Sequence, residues 1–259
     1  MLEAKNISFN VGKKVILRDI STSFPPGKLT VILGPNGSGK SSLIKVLSGV
    51  IKKYKGEVLI KNQDIISFSE LERAKFRSVL LQSIEVSLPF KVQEIVMLGR
   101  YPYIRRQTTN RDNEICFSAL KTCGVSHLKN AIYANLSGGE KQRVQFARIL
   151  AQIGYDNKEI PKILFLDEPT NSLDIKHQIS LLDIAKDFAK KGNTVIVVLH
   201  DLNLAIDYAE HIIFLKEGSK IAEGKKEEVM TESFLKKIYE IEIEIFEDKT
   251  TNKKFIKYN

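Results

Sequence analysis

No stretch of this sequence is apolar for the roughly 20 residues that a helix needs to cross a bilayer. The longest runs, such as LTVILG and TVIVVLH, stop far short. The opening MLEAKNISFN lacks the continuous apolar core of a secretory signal, so the chain is expected to stay in the cytoplasm. Cysteine is scarce: Cys116 and Cys123 have no Cys or His at metal-ligand spacing and are expected to be free thiols. Internal repeats and low-complexity linkers are also missing.

What is there is an ordinary globular composition, 43% hydrophobic and 27% charged over 259 residues, which leaves little room for long disordered tracts. Forty basic against 31 acidic residues leave a net charge of +9. That bias suits a phosphate-rich surface, nucleic acid or anionic lipid, and equally a solvated surface with no partner.

Short apolar runs alternate with segments of helical spacing, the pattern of an α/β protein. Leu29–Leu33, Ile163–Leu166 and Thr194–Leu199 are continuously apolar or β-branched, as strands covered on both faces of a parallel sheet are. Leu2–Phe9, Val15–Leu17 and Glu57–Ile60 read as an antiparallel layer beside that core. From about Glu70 to Lys129 helical pattern predominates, predicting a lobe inserted into a single domain spanning 1–259. The tail IEIEIF, Ile241–Phe246, followed by DKTTNKK and FIKY, predicts a helix-and-hairpin ending over about 225–259, with one face of the hairpin buried.

The string GPNGSGKSS comprises Gly34, Pro35, Asn36, Gly37, Ser38, Gly39, Lys40, Ser41 and Ser42. It matches the phosphate-loop pattern, and it falls after an apolar strand and before a helical run, as the chemistry requires. Glycines let backbone N–H groups approach phosphates, and the following helix offers its positive end. Lys40 is expected to reach the β- and γ-phosphates of ATP, and the Ser41 hydroxyl to coordinate Mg²⁺.

In KILFLDEPT, Asp167 and Glu168 end a buried strand, at the sheet edge where ligands gather. Asp167 is the expected Mg²⁺ partner through a water, and Glu168 the group that orients or deprotonates the attacking water. His200 arrives at the same edge after TVIVVL and is expected to contact the γ-phosphate, a structural role being the plainer reading. Gln82, after SVLL, reads either as a Mg²⁺ and water contact or as an ordinary polar residue after a strand.

LSGGEKQRVQFARIL, Leu136–Leu150, is a small-residue turn opening an amphipathic helix, so Ser137, Gly138 and Gly139 form a second potential phosphate acceptor. A chain with one phosphate loop has no nucleotide of its own left for it. That points to a second copy of the chain and a two-fold dimer with ATP at the interface.

Taken together, the phosphate loop, Gln82, LSGGE, LFLDE, the triplet Ser172–Asp174 and His200 resemble the ATPases of ABC transporters in order and spacing, over nearly the whole chain. The resemblance implies a phosphate-loop ATPase fold with a mostly parallel sheet, an antiparallel β layer and an inserted helical lobe. It further implies that Gln82 meets a membrane permease, that Ser137, Gly138, Gly139 and Glu140 complete the partner copy's ATP site, and that Asp174 links the two sites. Glu140 stands where many members have Gln. Phe9 stands where an aromatic, often Tyr, stacks on adenine; its plainer reading is a core residue of the first strand.

LPFKVQEIVMLGRYPY, Leu88–Tyr103, resembles the helical-lobe segment of importer ATPases for iron chelates, haemin and vitamin B12. The LSGGEKQRVQFARILAQ string, the extra residues Ile153–Pro161 and the tail are most similar to the haemin-import branch. This implies integral permease subunits as partners, an indirect link to a substrate-binding protein, a peripheral place on the cytoplasmic face of the inner membrane, and no nucleic-acid partner. Non-transport relatives acting on ribosomes carry two ATPase units, and those acting on DNA insert long coiled coils; this sequence has neither. A GTPase reading lacks the N-K-x-D string. The arginines Arg100, Arg105, Arg106 and Arg111 are compatible with a permease contact, a lipid contact or a solvated loop.

Overall fold

The computed structural model describes residues 2–81, 88–153, 161–248, 250 and 253–258. Along the chain run β1 (Leu2–Val11), β2 (Lys14–Phe24), β3 (Leu29–Leu33), α1 (Lys40–Leu47), β4 (Lys55–Ile60), β5 (Gln63–Asp64), α2 (Glu70–Phe76) and β6 (Arg77–Leu80). Then come α3 (Val92–Met97), α4 (Asn110–Thr122), α5 (Gly138–Ile153), β7 (Ile163–Asp167), α6 (Ile175–Lys190), β8 (Thr194–Val198) and α7 (Leu202–Tyr208). The chain ends with β9 (His211–Lys216), β10 (Ser219–Gly224), α8 (Lys226–Val229), α9 (Glu232–Tyr239), β11 (Ile243–Asp248) and β12 (Lys253–Tyr258). Two compact units emerge, Met1–Ser67 with Phe188–Asn259, and Phe68–Asp187.

In the first unit, β3 is paired in parallel with β8 on one side and β9 on the other, and β10 adds antiparallel to β9. Every residue of β3 and β8 is buried. Such strands have no solvent face to alternate with, which is why their sequences are continuous rather than period-two. The antiparallel layer runs in the order β2-β1-β4-β5. Its β2 reaches Phe24, well beyond the predicted Val15–Leu17, because past a bulge after Leu17 the alternate residues Ile20, Thr22 and Phe24 face inward while their neighbours face water. The layer is tied to the β9–β10 hairpin by Arg18 N–H on Gly218 O at 2.8 Å and by Thr22 Oγ1 donating to Glu223 at 2.7 Å.

The terminal hairpin forms as the alternation predicts, with Ile243 and Ile256 buried and Phe246 stacked on Phe255 at 5.4 Å on the exposed side. Its first strand begins at Ile243 rather than Ile241, which is exposed.

In the second unit α5 is the central element. It buries Val144, Phe146, Ala147, Ile149 and Leu150 around most of its circumference, each large side chain contributing about 1.5–3 kcal/mol on leaving water. The pair β6 and β7 runs parallel, Arg77 opposite Ile163 through Leu80 opposite Leu166. Gly99 packs so closely on α5 that a Cβ would stand 2.2 Å from Arg148 O.

Arg100 does not belong to a basic surface. It is buried, its Nε donating to Asp112 at 3.0 Å and its Nη1 to Ala151 O at 2.7 Å, with Tyr103 stacked on the guanidinium. Arg105 and Arg106 are exposed, and Arg111 pairs with Glu114 at 3.4 Å. Cys116 and Cys123 are free and buried, and burial pushes their thiols up to about 11 and about 12.

Candidate functional site

The phosphate loop turns sharply at the end of β3. Gly34 has φ of 145° and a Cβ there would stand 2.0 Å from Leu215 O, so no other residue fits. Gly39, at φ of 101°, packs on Leu17 and Ile16 O at under 3 Å from where a Cβ would be. Gly37 is left-handed too, at 78°, but faces open space.

Gly39 is the N-cap of α1 and brings no side chain to it, and the first turn of α1 carries no acidic residue. The positive end of the helix thus has no side-chain cap at Gly39 and no acidic residue in its own first turn, which suits it to accept an anion. The buried Ser38 hydroxyl finds no hydrogen-bond partner among the described residues. Lys40 is buried and curls back so that Nζ donates to Gly34 O at 2.7 Å and Pro35 O at 3.0 Å. Ser41 and Ser42 lie half-buried in the first turn of α1. An orphaned hydroxyl, a helix start with no side-chain cap and a cation beside left-handed glycines fit a bound phosphate chain.

His200 leaves β8 beside this loop. Ile32 pairs with Val198 in the parallel ladder and Leu199 N–H reaches Ile32 O at 3.4 Å, so the two strands deliver Gly34 and exposed His200 to one sheet edge. Asp201 then caps α7, its Oδ1 accepting from Asn203 N at 2.7 Å and Leu204 N at 3.2 Å. Phe9 is half-buried in β1 opposite Leu17, the residue that Gly39 packs on.

The second unit gathers the remaining candidates. Asp167 is buried at the end of β7, and Glu168 follows with φ of 50°, a conformation uncommon outside glycine. Non-glycine residues held this way cost about 1–3 kcal/mol and cluster where function fixes the backbone. The Glu168 carboxylate is held by Asn171, Nδ2 donating at 2.7 Å. Asn171 went unnoticed in the sequence, although its spacing of three from Glu168 is that of a turn.

Ser137 caps α5 in a reciprocal box. Its N–H and hydroxyl donate to Glu140 Oε2 at 2.9 and 2.7 Å, and Glu140 N–H returns to Ser137 Oγ at 3.3 Å. The Ser137 hydrogen bonds hold the Glu140 carboxyl below the usual carboxylate range. Gly138 and Gly139 let this turn lie against the Ser172 segment, where a Cβ on Gly139 would stand 3.1 Å from Ser172 O. Gln142, another residue missed in the sequence, donates to Pro169 O at 3.1 Å and so ties α5 to the loop after Glu168. Asp174 caps α6, accepting from His177 N at 2.9 Å and pairing with His177 Nδ1 at 2.7 Å. Gln82 lies outside the described residues.

A family model described as ABC transporter matches residues 17–171. The match covers more than half the sequence, and the chain belongs to the ABC transporter family. It is 41% identical over 235 residues to the hemin import ATP-binding protein HmuV of Gloeobacter violaceus, covering 91% of this chain and 86% of that one. Its fold is similar to a solved chain of a metal-chelate type ABC transporter in an inward-facing conformation, at TM-score 0.82 and 22% identity, covering 100% of this chain and 96% of the other. It is also similar to a dimeric ATP-binding cassette solved in a post-hydrolysis state with ADP and Pi, at TM-score 0.74 and 27% identity, covering 87% and 98%. Among the described residues no helix is long and apolar enough to cross a membrane.

Proposed function

We propose that the chain is the ATP-hydrolysing subunit of an importer that energises uptake of haemin or a related iron chelate through a separate membrane permease. The observation that carries the ATPase reading is the Gly34–Ser42 cradle: an uncapped helix start, an orphaned Ser38 hydroxyl and a buried Lys40 poised over it. The cargo rests on the likeness to the hemin import protein.

In this reading the loop amides and Lys40 bind the triphosphate, while Ser41, Asp167 through a water, and Gln82 hold Mg²⁺. The metal supplies neutralisation of the charge on the phosphate oxygens. Phe9 stacks on adenine. Glu168, fixed by its own backbone and by Asn171, takes the proton of the attacking water, and His200 contacts the γ-phosphate. Two copies act as a homodimer, with Ser137, Gly138, Gly139 and Glu140 of one closing the nucleotide of the other and Asp174 linking the sites. Closure excludes water and completes the site only when ATP is present, which couples chemistry to movement. The dimer lies peripherally on the cytoplasmic face of the inner membrane, beneath permease subunits that receive cargo from a substrate-binding protein.

The test is ATP turnover by the full chain copurified with its permease and reconstituted in liposomes. Stimulation by haemin-loaded receptor but not by receptor loaded with a siderophore or vitamin B12 is the expected result. A chain that binds no ATP in any assembly state refutes the ATPase reading, and stimulation by another cargo alone refutes haemin.

A further inference from the structure

The segment after β10 touches the rest of the first unit in two places, one at the phosphate loop and one beside His200. Helix α9 backs the root of the phosphate loop. Its Phe234 ring meets Phe214 of β9 edge-on at 5.1 Å, one residue before Leu215, whose carbonyl crowds Gly34. Lys216 Nζ donates to Ile238 O at 3.3 Å and to Glu240 at 2.7 Å, clamping the end of α9 onto the same strand. The half-buried Tyr239 phenol, pushed up to about 12 by desolvation, has the Gly34 backbone as a hydrogen-bonding neighbour.

The hairpin grips the other nucleotide-facing segment. Asn203 sits three residues after His200, in the first turn of α7. Its Nδ2 donates to Ile256 O at 3.1 Å while its Oδ1 accepts from Ile256 N at 2.6 Å. One carboxamide thus pairs with both backbone groups of a β12 residue, as a neighbouring strand would. Because Asp201 caps the same turn through Asn203 N–H, the backbone between His200 and Leu204 is held from both sides. Glu232 completes the circuit, its carboxylate in α9 accepting from Ile245 N at 2.7 Å, and Ile245 lies opposite Ile256 in the hairpin register.

We propose that α9 with strands β11 and β12 is a brace that fixes His200 relative to the phosphate loop, with Asn203 as its positioning residue. The proposal rests on the ATPase reading above. Asn203 touches neither nucleotide nor water in this scheme and acts only through the turn that carries His200. A continuous chain of side chain, helix and hairpin runs from Gly34 to His200, so displacing one end is felt at the other.

The test compares the full chain with Asn203→Leu, which is similar in shape and loses both hydrogen bonds to Ile256, and Asn203→Asp, which keeps the acceptor for Ile256 N–H and loses the donor to Ile256 O. Asn203→Leu is expected to lower kcat about tenfold, since small displacements of a catalytic group cost that much or more, while KM for ATP holds within about twofold. In the nucleotide-free protein, hydrogen exchange at amides 200–204 is expected to rise about tenfold or more, with those of 34–42 unchanged. Asn203→Asp should fall between. Unchanged kcat and exchange, or a fall in kcat no larger than the fraction of unfolded protein by circular dichroism, overturns the proposal. Should Asn203→Leu not fold, Asn203→Asp decides by the same readouts. Wild-type protein that turned over no ATP would count against the ATPase reading, and the exchange comparison would still judge the brace.

Discussion

The carboxamide of Asn171 holds the carboxylate of Glu168 at 2.7 Å, three residues along the same turn. In the role proposed for Glu168, a base that must meet a water at one angle gains from being fixed before the nucleotide arrives. Asn171→Ala is expected to lower kcat about tenfold with ATP affinity unchanged, the loss of one orienting hydrogen bond. Asn171→Asp sets a second carboxylate against the first and should cost more. Steady-state kinetics alongside equilibrium ATP binding checks both.

Glu168→Gln keeps the shape of the side chain and removes its basicity. Turnover should fall about a hundredfold or more while ATP still binds, and size-exclusion chromatography in ATP should show a trapped dimer. A variant that hydrolyses at the wild-type rate removes Glu168 from the role of base.

Gly34→Ala tests the cradle itself. The added methyl would stand 2.0 Å from Leu215 O at a φ of 145°, so either the loop or β9 has to move. Nucleotide binding should be lost and stability should drop by more than about 2 kcal/mol, read by urea titration. Gly37→Ala, with open space around its Cβ, carries only the backbone strain and should keep more stability.

Asp112 gives a pH-dependent prediction. Burial raises its pKa, but hydrogen bonds from Thr109 and the Arg100 guanidinium outweigh burial and leave it below the ordinary 3.8. A group with a depressed folded pKa contributes stability that is complete above its unfolded value and lost as pH falls through the folded one. Asp112→Asn should therefore destabilise the protein by about 3–5 kcal/mol near pH 7, the cost of leaving Arg100 buried and unpaired. The gap to wild type should narrow as pH falls below 3.8, which urea midpoints at pH 7 and pH 3 would reveal.

Much of the architecture was legible because its causes are local. Continuous apolar runs mark doubly covered strands, so β3, β7 and β8 could be placed to within a residue or so, whereas half-buried β2 alternates and was cut short. The phosphate loop was legible for the same reason: its glycines answer to backbone geometry that the string itself carries. Arg100 is the counterexample. In sequence it joins three other arginines, and only the approach of Asp112 and the Ala151 carbonyl shows that it is buried and paired.

The sequence by itself determined the strings GPNGSGKSS, DE and LSGGE on which the proposed triphosphate site rests, because each is a short stretch of backbone with its own local geometry. Only the tertiary structure decided which distant segments support those groups: Gln142 on Pro169 across 27 positions of chain, and Ile256 on Asn203 across 53. Hydrogen bonds between distant segments depend on which strand lies beside which helix. No local pattern encodes that neighbour, and so the supports of the site became visible only once the chain was folded.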